Sequence, residues 1–273
     1  MKNLDNTPDT PEDDQINWAR VQRWVQTGIL FLMGLYFIDL ALPGGNLSFY
    51  INVSDFAWLT WLGAALLILM ALINALELLS EAGDSNLREE DALEGHFAMP
   101  GNAASWVFLG ILAAPLMLGL GVPAQPLGAG AIGGEVTSDV RSVGFNEKNV
   151  TVTQDAEDRN LLDWIRVFAR STDLAEFEGQ EVTDLMGFVH RDARFEGTDR
   201  FMLVRFTLSC CVADARPIGL IIETPEALNF PVDTWLEVSG PIVIQEVDGI
   251  ETPVIQPESI TEIDQPEHPY LYF

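Results

Sequence analysis

Three long apolar runs, all before residue 124, constrain this chain more than any other feature. The first extends from Val25 to Leu42, the second from about Phe56 to Leu79, and the third from about Trp106 to Val122. A helix rises about 1.5 Å per residue, so roughly twenty apolar residues cross a hydrocarbon core of about 30 Å. Each run is therefore read as a membrane span, in contact with lipid. Trp18, Arg20, Arg23 and Trp24 form a basic and aromatic belt before the first run, a composition suited to the headgroup level. Pro43-Gly44-Gly45 stops that run, and Pro115 predicts a kink inside the third. The first run starts late, carries Asp39 and lacks a small-residue cleavage site, so it reads as an anchor and not as a signal peptide.

Short loops set the expected orientation. Lys2, Arg20 and Arg23 precede the first span, whereas the loop from Pro43 to Asp55 has no Lys or Arg. The positive-inside rule then places the N-terminus in the cytoplasm, and three crossings place the C-terminal half outside. Asp39 and Glu77 lie near span ends, from which a carboxylate reaches water. Gly28, Gly34, Gly63 and Ala64–Ala65 are positions where helices can approach closely.

The second half has a different character. From Glu135 onward there are 27 Asp and Glu against 10 Lys and Arg, in a chain whose net charge is −27. Such a surface repels nucleic-acid phosphate and attracts cations, so no nucleic-acid partner is expected. The domain reading is a disordered acidic N-terminus over 1–17, a three-span transmembrane region over 18–123, a Pro/Gly/Ala linker over 124–154, and a soluble domain over 155–273. A weak strand is read near Asn149 to Gln154. Asp155 offers an N-cap to a helix from Ala156 to Arg170, whose Leu161, Trp164, Ile165 and Phe168 recur at i, i+3, i+4 and i+7. That apolar face is expected to dock on its own domain.

After Gly179 the period becomes two. Strands are read at Val182–His190, Phe201–Cys211, Ile218–Ile222, Trp235–Val247 and Pro253–Ile263, with a short helical turn from Thr224 to about Asn229 and a hairpin at Asp248-Gly249. Five strands with a short helix between the third and fourth match an OB-like Greek-key barrel. Gly187 and Gly240 suit the bulges or bends that closure requires. The expected fold is a membrane protein with three transmembrane helices plus a C-terminal mostly-β module, an OB-like five-stranded barrel preceded by an amphipathic helix.

Both cysteines of the chain are adjacent, at Cys210 and Cys211, with Asp214 close behind. Neighbours on a strand face opposite ways. The two thiols can share a ligand only if the strand ends or bulges there, and Asp214 then comes within reach. His190, from the neighbouring strand, is the candidate fourth ligand. Thiolate, imidazole and carboxylate together suit Zn or another soft metal ion. A vicinal disulfide and a pair of unliganded thiols are the alternatives. Arg205 and Arg216 flank the pair, placed to hold Asp214 or to lower a thiol pKa. No nucleophile elbow, phosphate loop, dinucleotide fingerprint or paired catalytic carboxylates are present, and no enzyme is expected.

RFTLSCCVADARPIGL, preceded by GQEVTDLMGFVHR and followed by WLEVSGPI and ITEIDQPEHPY, resembles the YcgQ-like family of bacterial proteins. The Cys-Cys-x-Ala-Asp-Ala core stands here at Cys210, Cys211, Ala213, Asp214 and Ala215. The resemblance implies an accessory subunit of a two-component permease complex in the bacterial plasma membrane, with a YraQ-like integral membrane permease as partner. The soluble module would then present or gate a metal or metalloid ion. The other reading is a stand-alone envelope metal- or redox-binding protein. Relatives often carry a His-Pro pair just before the second span. Ile51-Asn52-Val53-Ser54-Asp55 stands there instead, so a metal route through that His is missing or passes to Asp55.

Overall fold

The structure is a computed structural model that describes residues 18–83, 103–133, 136 and 156–272. The readings of 1–17, of the strand near Asn149 and of the Asp155 cap lie outside the described residues. The chain divides into two compact units, one of Met1–Leu42 with Leu59–Pro123 and one of Pro43–Trp58 with Ala124–Phe273. The segment between the first two apolar helices therefore belongs with the C-terminal half.

The first unit is helical. α1 (Trp18–Ala41) and α2 (Val53–Gly83) are long and apolar enough to cross a membrane. α3 (Ala103–Gly121) contains Pro115, and its apolar part, Trp106–Gly121, is shorter than either. Leu66, Leu69, Leu72 and Leu76 of α2 are exposed, an arrangement that water disfavours and lipid accepts. Of the small residues, Gly34 makes the close approach. A Cβ there would lie 2.6 Å from Ile68 Cγ1 and 3.2 Å from the Ala64 carbonyl oxygen, whereas Gly28 and Gly63 face open space.

The second unit is built on a ring of five strands: β1 (Glu181–His190), β2 (Arg200–Leu208), β3 (Arg216–Glu223), β4 (Trp235–Val247) and β5 (Ile250–Ile255). Neighbours run in the order β1-β2-β3-β5-β4, and β4 pairs back onto β1. The β3–β5 pairing is parallel and the other four in the ring are antiparallel. The stretch read as one fifth strand is two, because the chain turns at Gln256-Pro257-Glu258 before β6 (Ser259–Glu262) joins β4. Gly240 permits that turn, since a Cβ on it would come within 2.6 Å of the Gln256 carbonyl oxygen. The bulge falls where the β1–β4 register slips, between Val182 and Leu185, and Asp184 there has φ 49°. It is not at Gly187, whose bare Cα packs on Leu203 and the Val204 carbonyl.

α4 (Leu161–Arg170) starts later than the sequence pattern suggests, because Asn160 and Asp163 form a reciprocal capping box. Its Leu161, Trp164, Ile165 and Phe168 are buried in one core with Leu203, Leu220 and Leu236 of the strands. A second core holds Phe188, Val204, Phe206, Leu208 and Trp235. β2 contributes to both, so every residue from Phe201 to Leu208 is buried. A strand buried on both faces loses polar alternation.

Candidate functional site

β2 ends at Leu208, two residues before the cysteines. Up to that point β7 (Leu271–Tyr272) pairs with it, Thr207 opposite Leu271 and Leu208 opposite Tyr272. The ladder then gives way to a side chain. Asp214 accepts the Ser209 N–H at 3.0 Å and the Cys210 N–H at 2.8 Å. The chain turns through Val212–Asp214, where the Asp214 N–H returns to the Cys211 carbonyl at 2.9 Å. The strand break needed for two convergent thiols is thus made by the same carboxylate that could serve as third ligand.

A distant segment closes the other side. The Cys210 carbonyl accepts the Asn52 N–H at 3.0 Å, the Val212 N–H donates to the Tyr50 carbonyl at 2.9 Å, and Ile51 bridges Cys211. The Asn52 amide donates to the Ser209 carbonyl at 3.3 Å. These residues immediately precede α2. Ser48 reaches the Glu267 carbonyl at 3.2 Å, which joins the C-terminal tail to the same segment.

The Cys210 and Cys211 sulfurs lie 3.6 Å apart, and one ligand atom each of Cys210, Cys211 and Asp214 falls within 4.8 Å of the others. Disulfide sulfurs are bonded at about 2.05 Å, so these are two free thiols. Two thiolates at about 2.3 Å from a tetrahedral ion lie about 3.8 Å apart, close to the spacing of the pair. Cys210 is exposed and the other two are partly so, which leaves an approaching ion an open side.

The carboxylate sets the electrostatics. Asp214 accepts a hydrogen bond from the Cys210 thiol and, with Cys211 beside it, pushes that thiol up to about 11. Burial raises the Asp214 carboxyl, but the N–H groups of Cys210, Ser209 and Cys211, together with the thiol, outweigh it and hold the group below its ordinary range. The expectation that a flanking Arg lowers a thiol pKa is therefore reversed. Arg205 turns inward, donates to the His268 and Pro269 carbonyls at 2.6 and 3.2 Å, and lies over the Trp235 ring.

Asp214→Asn should accelerate alkylation of Cys210 by iodoacetamide at pH 8. Bringing a thiol pKa from about 11 to near 9 raises the thiolate fraction about a hundredfold, and the weaker nucleophilicity of the less basic thiolate trims the gain to about tenfold. A rate that stays level or falls would show that the carboxylate does not hold the thiol.

His190 is not brought into this set. It ends β1 opposite Met202, and the six steps from Met202 to Leu208 span roughly 20 Å of strand. Its pKa is lowered by burial, against the pull of Asp192 and Asp233. Among the described residues, the donors grouped are Cys210, Cys211 and Asp214. Sequence reasoning noticed Asn52 only as a departure from relatives and Asp55 as a substitute ligand. The structure puts Asn52 against the turn, with Asp55 accepting from its amide at 3.1 Å. Asn with Asp three residues later, just before an apolar run, is a capping pattern that could have marked this helix start.

The DUF1980 C-terminal domain matches residues 138–273, and the DUF1980 N-terminal domain matches residues 25–137. A Streptococcus mutans protein named as a two-component membrane permease complex subunit is 24% identical over 280 residues, which cover 89% of this chain and 97% of that protein. The UPF0703 protein YcgQ of Bacillus subtilis is 25% identical over 99 residues, 36% of this chain and 34% of its own length. No solved structure matches.

Proposed function

The chain belongs to the DUF1980 family, the YcgQ-like proteins, and from that membership we propose that it is an accessory subunit of a membrane permease complex. The name of the Streptococcus mutans relative, alike over nearly its whole length, supports this reading. The observation that carries the cation-handling part is the bonding of the Cys210–Cys211–Asp214 turn to the residues that open α2. Among the described residues, α2 is one of two helices long and apolar enough to cross a membrane. A soft-ligand set at its head stands where an ion would enter or leave a membrane pathway.

In this reading α1, α2 and α3 all span and pack on a YraQ-like permease, with the N-terminus in the cytoplasm. The module, an OB-type ring, lies outside over the partner's mouth. Its acidic surface draws cations in, and the two thiols and Asp214 select a soft one such as Zn. Asp55 stands by Asn52 at the turn and adds charge there. Exposed donors present or gate an ion; no catalytic step is assigned to them.

A tagged full chain isolated from its own membranes should carry a multi-pass membrane protein in near-equal amount, identified by mass spectrometry. Isolation of the chain alone would leave the stand-alone envelope metal-binding reading in its place.

A further inference from the structure

Asn52 has no exposed surface, although Ser54 and Asp55 beside it are exposed. Its main-chain N–H goes to the Cys210 carbonyl at 3.0 Å, and its carbonyl accepts the Phe56 N–H at 3.0 Å. One amide donor goes to the Ser209 carbonyl at 3.3 Å and to the Asp55 carboxylate at 3.1 Å. The amide oxygen accepts the Ser54 N–H at 3.1 Å and the Ser54 hydroxyl. A helix cap alone needs only that oxygen, which Ser, Thr or Asp supply as well. The NH₂ group is what Asn adds, and it bridges the Asp55 carboxylate and the Ser209 carbonyl of the cysteine turn.

The turn is held from two directions. Asp214 takes the N–H groups of Ser209 and Cys210, while Asn52 takes the carbonyls of the same two residues. All four main-chain polar groups of Ser209 and Cys210 are thereby bonded. Cys211 itself is extended, at φ −154° and ψ 169°, a conformation in which adjacent side chains diverge. Sulfurs 3.6 Å apart thus depend on how the backbone at Ser209 and Cys210 is bent and kept bent.

Resting on the soft-cation reading above, we infer that Asn52 is a positioning residue for the Cys210–Cys211 pair. It holds the pair as a preformed two-sulfur chelate and joins occupancy of that chelate to the first turn of α2. A ligand that needs the bent backbone tightens the Asn52 clamp, and by linkage the clamp tightens the ligand. Residues that orient a metal's direct ligands commonly change affinity about ten- to hundredfold when altered.

The test uses the full chain in lipid nanodiscs and Cd(II) as the probe ion, followed by its thiolate absorbance. Asn52→Asp keeps the capping oxygen and loses both N–H donors. Asn52→Ser keeps a capping oxygen and is too short to reach Ser209. Both variants should bind Cd(II) about ten- to hundredfold more weakly. In the wild type, Cd(II) should also slow hydrogen exchange at the Ser54 to Phe56 amides, and that slowing should vanish in both variants. Equal Cd(II) affinity in wild type and variants would overturn the inference while leaving the soft-cation reading intact. So would unchanged exchange at Ser54 to Phe56 in the wild type, a measurement that needs no variant to fold. Failure of the wild type to bind Cd(II) at all would remove the reading and the inference together.

Discussion

Replacing Cys210 and Cys211 together by Ser should abolish soft-cation binding, with Cd(II) affinity falling by more than about a hundredfold, since loss of the ligands exceeds the cost of losing their supports. Serine keeps the size of the side chain but offers a neutral hydroxyl that a soft ion does not favour over water. Each single Ser variant leaves one thiolate and Asp214 and should fall in between. Ca(II) and Mg(II) prefer oxygen ligands and should be indifferent to all three changes. The module should stay folded, because Cys210 is exposed and Cys211 only partly covered. Wild-type Cd(II) affinity in the double variant would mean that the ion, if bound, sits elsewhere.

Phe168→Ala should destabilise the second unit by about 3–5 kcal/mol, the usual cost of removing a buried aromatic ring. Phe168 has no exposed surface. It stacks on Trp164 with ring centres 5.6 Å apart and meets Phe177 edge-on at 5.1 Å. A domain is stable by about 5–15 kcal/mol, so about a fifth or more of the margin would disappear. The shift of the urea midpoint of the second unit checks this. A loss below about 1 kcal/mol would mean that α4 is not docked on the strands in solution, since that is what an exposed site costs.

These two expectations differ in how visible their causes are along the chain. The α4 face could be read from Leu161, Trp164, Ile165 and Phe168, because helical periodicity is local and one apolar stripe needs one partner. The four longer strands were legible for the same reason, although capping by Asn160 moved the helix start and the turn over Gly240 split the last strand. The closed ring depends on β4 returning to β1 and on a parallel β3–β5 pair, which the order of elements indicates and alternation alone does not.

The cysteine site was half legible. Its chemistry follows from two thiols and a carboxylate close in sequence, and the need for a strand break follows from alternation. What makes the break is a side-chain capture by Asp214 together with a segment more than 150 residues earlier. A contact at that separation leaves no periodic mark. His190 failed for a related reason: alternation says which face a residue takes, not how far along the strand its neighbour has travelled. Asn52 carries a capping pattern, but nothing local shows that its amide also turns toward Ser209.

In the proposed complex the Cys210–Cys211–Asp214 turn faces a membrane permease. The most direct measurement places a thiol-directed photo-crosslinker on the turn of the full chain in its native membranes. Illumination should join Cys210 or Cys211 to a multi-pass membrane protein, and added Zn(II) should protect the thiols from the label beforehand. Adducts confined to lipid or to the chain itself, with labelling indifferent to Zn(II), would contradict both the partner and the ion.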